Sequence, residues 1–215
     1  VAQADQPAGV TPIFTAQDYQ DGEFRKTAAI MKMVISGYAG AGTITMGGYD
    51  YHGQGRNTGE TRNFRAGRCI GACLEYAARK QVPLMIYVFS DGALSANGVI
   101  NNSAAGRGKL DWASDNQATA ASIVLVYNPT GPVEFRDPNR KQIGSYSAGG
   151  DVVTSSAPSA NAVNLLVETV ILNYMALHGE EGQFQTLFPG NGLGGARDSL
   201  IMLAPVCNGT VSNPV

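Results

Sequence analysis

The sequence predicts an α/β protein: a mostly parallel sheet flanked by helices, with a β-hairpin elaboration, in one domain of 215 residues. Three observations predict it. A strand-like run at 43–46 is followed by a helical stretch and then by the apolar run PLMIYVFS at 83–90. That order makes a parallel pair with a right-handed crossover the default. The run at 83–90 and a second at 121–127, ASIVLVY, lack polar alternation, as expected of strands buried on both faces. Apolar residues form 44% of the chain, enough for a sizeable core.

The elements follow in order. Residues 1–20 are polar, contain Pro7 and Pro12, and read as an extended lead-in. Asp21 is placed to cap a helix in which Phe24, Ala28, Met31 and Ile35 recur at helical spacing, with Gly37 or Gly40 ending it. After the strand at 43–46 comes a glycine-rich loop, then a helix capped by Thr61, lined with small residues and stopped at Gln81-Val82-Pro83. Residues 91–117 read as a long loop, of the kind that is often functional. The strand at 121–127 leads to turn signals at Asn128-Pro129 and Asp137-Pro138, and residues 147–150 separate two short strands. Ser159 or Asn161 begins a long helix that runs through His178 and ends at Gly179; residues 182–215 read as an irregular tail.

Only 15% of residues are charged, well below the usual quarter, so Ser, Thr, Asn, Gln and Gly must cover the surface. This composition suits a secreted or periplasmic protein, or one partly covered by partners. The net charge of −2 and the absence of a basic block exclude nucleic-acid binding as a function class. The longest apolar run, Val163–Leu177, is interrupted by Asn164, Glu168 and Asn173 and is too short for a transmembrane segment. A chain beginning at Val1 is expected either to have lost a leader or to be the later part of a longer precursor. Cys69 and Cys73, four apart on a helix, lack two further ligands for zinc. They read as small buried hydrophobes; the alternative is a disulfide from Cys207 to one of them, with one thiol left over.

Ligands of an open α/β sheet sit beyond the strand ends, and three polar clusters fall there: 47–52, 90–92 and 111–116. Asp50 and His52, two apart behind Gly47-Gly48, could reach one cation, with Asp91 and Asp115 (or Asp111) adding carboxylates. The plain alternative is an Asp-x-His stretch that caps a turn. Arg56, with Arg62 and Arg65, flanks the same loop and could meet an anionic substrate or be solvated, and Ser90 and Asn116 are the further substrate-binding candidates; Ser90-Asp91-Gly92 lacks the Gly-x-Ser-x-Gly elbow of a nucleophile and otherwise reads as turn chemistry. His178, at a helix C-terminus, reads as a dipole partner. Tyr49, Tyr51, Trp112 and Tyr127 could line a sugar- or peptide-binding cleft, or be core.

The stretch from Asp21 to Gly98, with its Gly47-Gly48-Tyr49-Asp50-Tyr51-His52 block, resembles the C-terminal half of a family of secreted bacterial proteins related to alkaline phosphatases and sulfatases. The resemblance spans about residues 20–178. It implies a doubly wound α/β sandwich in which Asp50 and His52 bind one or two divalent metals such as Zn, Ca or Mg. These would activate a hydroxyl nucleophile against a phosphate or sulfate ester. The sequence departs from that pattern twice. Ser90-Asp91-Gly92-Ala93-Leu94 stands where the family has Ser-Glu-Phe-Gly-Arg, and Ser114-Asp115-Asn116-Gln117 stands where it has Thr-Asp-His-Gly. The nucleophile segment would lie upstream of Val1. Two functions are therefore expected: a metal-dependent ester hydrolase acting outside the cytoplasm, or a non-catalytic extracellular structural or assembly subunit on a degenerate hydrolase fold. The second implies self-association, or pairing with an upstream fragment of the same precursor.

Overall fold

A computed structural model describes residues 9–49, 56–89, 93–104, 106–116 and 122–207, with backbone alone for Arg56, 93–98, 110–116 and Asn161. Helix α1, Gly22–Ile35, begins where Asp21 accepts the backbone N–H of Glu23 at 2.8 Å, satisfying a donor that the first turn leaves unpaired. It buries Phe24, Thr27, Ala28, Met31 and Ile35, the face that the helical spacing marks out. Helix α2, Arg56–Lys80, starts five residues earlier than expected. Thr61 therefore lies within it and donates to the carbonyl of Asn57 at 2.9 Å, a back-bond rather than a cap. Cys69, Ala72, Cys73, Tyr76 and Ala77 of α2 close against α1 and Phe14 to form the first core cluster. Arg65 pairs with Asp21 and Arg68 with Asp18, so two charged contacts pin α2 to the start of α1.

The lead-in is partly built into this core. Phe14 is 1% exposed and stacks on Phe24 with ring centroids 5.2 Å apart. Asp18 anchors the segment, accepting the Thr15 backbone N–H and an Arg68 guanidinium N–H, each at 2.8 Å. The Thr15 bond first, and Arg68 second, hold its carboxyl below the ordinary carboxylate value. A lowered carboxyl contributes stability that is complete above the ordinary value, about pH 4, and is lost as pH falls through the lower folded value. Asp18→Asn is expected to lower stability at neutral pH and to flatten its decline towards acid pH, so that variant and wild type converge as pH falls. Denaturant midpoints measured from neutral to acid pH check this; an unchanged acid slope would contradict it.

The parallel sheet is not formed. Strand β1, Leu84–Val88, pairs antiparallel with β4, Ile123–Tyr127, in the register Leu84–Tyr127 to Val88–Ile123. Between them lies a hairpin: β2, Ala93–Asn101, pairs antiparallel with β3, Lys109–Asn116. The described residues thus hold two two-stranded antiparallel sheets in a helix-rich chain. Two causes are visible. The run at 43–46 alternates as a strand does, with Ile44 and Met46 packed on the first cluster, yet none of its backbone groups joins a ladder among the described residues, so β1 has no parallel partner. The expected long loop instead doubles back through a tight turn, and a chain that returns directly can only pair antiparallel. Gly106 permits that turn, because a side chain there would collide with Asn101.

The strands β1 and β4 are apolar but not buried on both faces: β1 is half-buried throughout, and Ile123 and Val124 of β4 are exposed. Leu84, Ile86 and Tyr127 pack on the α1–α2 cluster, whereas Met85 and Val126 pack on Leu177, Met202 and Leu203 on the other side. The ribbon therefore lies between the α1–α2 cluster and a face made by Leu177 and the C-terminal segment at 202–203. Leu177 ends helix α3, Val163–Leu177, which follows a turn at Pro158–Asn161 and stops at His178-Gly179. The tail is not inert: the short helix α4, Phe184–Leu187, supplies Phe184, and Leu193, Leu200 and Ile201 fill the cluster beneath α3. Phe135 bridges to Leu203. The turn at 147–150 forms, with Tyr146 bridged to Val152 in place of two short strands. Among the described residues no helix is long and apolar enough to cross a membrane.

Candidate functional site

The approach to the Asp-x-His block is described from one side. Gly48 has φ +83°, the left-handed region that favours glycine, and a Cβ there would lie 3.1 Å from Cζ of Arg62. The guanidinium of Arg62 thus lies against the backbone of Gly48. Tyr49 turns back to α2, its hydroxyl donating to the Arg62 carbonyl at 3.1 Å and to the Met46 sulfur at 3.5 Å. Burial foremost, with Cys69 next, pushes that hydroxyl above the usual tyrosine value, so Tyr49 is a donor at neutral pH. Its contacts are thus with Met46 and the backbone of α2.

The metal candidates Asp50, His52 and Asp91, the candidate Ser90, and Tyr51 lie outside the described residues. Arg56 is the first residue of α2, and Asp111, Trp112, Asp115 and Asn116 sit on β3; for these five the backbone alone is described. Ala93 at the start of β2 pairs with Asn116 at the end of β3, within the third cluster. No described contact joins them to Gly47–Tyr49. Of the three arginines, Arg65 is committed to Asp21 and Arg62 to Gly48. Among the described residues no group of three His, Cys, Asp or Glu side chains could hold a metal ion.

The alternative of a disulfide from Cys207 does not hold: Cys69, Cys73 and Cys207 are free, and Cys69 and Cys73 are buried, as the first reading expects. Burial pushes the Cys73 thiol up to about 12 and raises that of Cys69, so both act as small apolar groups. Cys207 instead meets His178, with its sulfur 3.3 Å from Nδ1 and 3.4 Å from the Leu177 carbonyl. Burial first and Glu180 second raise its thiol, which leaves a protonated donor that fastens the tail to the end of α3. Sequence spacing gave no sign of this pair, because its partners lie 29 residues apart.

The feature that stands out is apolar and incomplete. The outer edges of β1 and β4 carry no ladder partner among the described residues. At the end of the ribbon where β4 begins, Ile123 is 61% exposed and Val124 36%, and the stacked pair Tyr87–Phe89 ends with Phe89 in solvent. A bare apolar edge of this kind is a template for another strand. No family model, curated protein or solved structure matches the chain.

Proposed function

We propose that this chain is a non-catalytic structural subunit that works by association outside the cytoplasm, and that its β1–β4 ribbon takes a strand from a neighbouring copy. The observation that carries the reading is the ribbon itself: two strands, one face on the α1–α2 cluster and the other on Leu177, Met202 and Leu203, with neither outer edge in a ladder among the described residues. Strand addition would satisfy its edge N–H and C=O groups and cover Ile123, Val124 and Phe89. The charge-poor composition supports a surface that works by contact. Light scattering is expected to give a multiple of 22.5 kDa that falls on dilution, and Ile123→Lys with Val124→Lys is expected to remove the ribbon contact while preserving the fold. A single-chain mass at every concentration would refute the reading.

A second reading, metal-dependent phosphate or sulfate ester hydrolysis, is favoured by one observation. Gly48, ahead of Asp50 and His52, has a left-handed backbone that lies against Arg62, a cation suited to an anionic ester. An imidazole with carboxylates from Asp50, Asp91 and Asp115 is a donor set that suits zinc or a similar ion. This reading predicts stoichiometric divalent metal in the purified chain, lost in His52→Ala; elemental analysis decides it, and metal-free wild type would exclude it.

A further inference from the structure

Helix α3 has a second apolar face. Leu172, Asn173, Met175, Ala176 and Thr169 are buried against the body of the protein. On the opposite side Val163, Val167 and Tyr174 are 52%, 41% and 46% exposed, with half-buried Val170 between them. These four positions follow one another at intervals of four, three and four, the spacing of a coiled-coil seam, so they form one stripe along the helix. The outer face of a surface helix is ordinarily polar. This stripe contains no charge, and the one charged residue of α3, Glu168, turns aside to accept the backbone N–H of Gly192 at 2.8 Å.

We infer that this stripe is a two-fold interface between copies of the chain, with α3 packed antiparallel on α3. Two features favour a second copy as the occupant. An isologous contact sets each residue against the same surface, so a neutral stripe avoids the like-charge opposition that a charged one would suffer. Antiparallel packing sets the large Tyr174 of one copy against the small Val163 of the other and opposes the two helix dipoles; parallel packing would stack tyrosine on tyrosine. The size sets the strength. At ~1.5 Å per residue α3 is about 22 Å long, and one face of it buries on the order of 400 Å² per copy, about half of a standard interface and the range of weak, transient contacts. The contact is therefore reversible, and the mass it produces depends on concentration.

This inference deepens the assembly reading and rests on it for its purpose. A chain with one contact at the ribbon and another at α3 is bivalent, and bivalent copies assemble past the dimer. Equilibrium sedimentation of four forms separates the two contacts. Wild type is expected to exceed a dimer at high concentration. Ile123→Lys with Val124→Lys should stop at the α3 dimer, and Val167→Glu should stop at the ribbon dimer. All three substitutions together should give 22.5 kDa. In the ribbon-variant background, Val167→Glu should weaken dimerisation at least about tenfold, whereas Val167→Leu should preserve it. Circular dichroism checks that each variant is folded, and Val163→Ser serves as a milder probe of the same stripe. A ribbon variant that stays single-chain, or a dimer in that background indifferent to Val167→Glu and Val163→Ser, overturns the α3 interface and leaves the ribbon reading intact. If the ribbon substitutions change nothing and Val167→Glu abolishes association, the α3 interface stands and the ribbon reading fails. A wild type that is single-chain throughout overturns both.

Discussion

Replacing Asn173 by alanine is expected to destabilise the protein by about 3–5 kcal/mol, because two buried backbone groups lose their partners at about 1–3 kcal/mol each. Asn173 is a buried amide in the middle of α3. Its Nδ2 donates to the carbonyls of Thr169 at 2.9 Å and Leu200 at 2.8 Å, and its Oδ1 accepts the N–H of Met202 at 2.7 Å. The Thr169 bond is dispensable, since that carbonyl lies within a helix ladder. The other two are not, because Leu200 and Met202 flank the segment that closes the second and third clusters. Asn173→Leu should cost as much, since adding apolar volume does not restore the bonds. Thermal unfolding should shift down by about 10 °C, taking roughly 2–4 °C per kcal/mol for a chain of this size. A shift within experimental error would show that this staple does not hold the C-terminal segment.

Phe14→Ala is expected to cost about 3–5 kcal/mol by loss of apolar contact and formation of a cavity. Its ring lies on Phe24 and meets the edge of Tyr19, 6.1 Å between centroids. The other ties of this segment are the lesser packing of Ile13 and Tyr19 and exposed polar contacts: Arg79 to the Thr11 carbonyl, Arg68 to Asp18, and Arg25 to the Tyr19 and Gln20 carbonyls. With the anchor gone, residues 9–20 should become open to protease while α1 and α2 remain paired. Limited proteolysis and denaturant unfolding test both parts. A loss under about 1 kcal/mol, with unchanged cleavage, would mean that Phe14 is not part of the core.

The helices were the legible part of the sequence. Phe24, Ala28, Met31 and Ile35 repeat at the period of one face, and Asp21 signals its own cap two residues ahead of the N–H that it accepts. Strands β1 and β4 were legible as strands but not as a sheet, and the strand expected at 43–46 joins no ladder among the described residues. An apolar run says nothing of which strand lies beside it. Here Leu84 packs on the α1–α2 cluster and Met85 on Leu177, Met202 and Leu203 within a sheet of two strands. The β2–β3 hairpin was hidden because its residues, ALSANGVIN, alternate too weakly to separate from loop. The packing of the tail was hidden for another reason: Phe184, Leu193 and Leu200 are isolated apolar residues among Gly, Pro and Asn, and only the third dimension collects them. Of the candidate site, sequence located the glycine turn and the arginines beside it. It did not foresee that Arg65 is spent on Asp21 or that Cys207 joins His178.

The assembly account turns on whether the outer edges of the ribbon are used. Amide hydrogen exchange, followed by residue in dilute and in concentrated solution, reads those edges directly. The account predicts that outward amides in Leu84–Val88 or Ile123–Tyr127 gain protection as concentration rises, while those of α1 do not change. Protection of both strands that is the same at every concentration would contradict it.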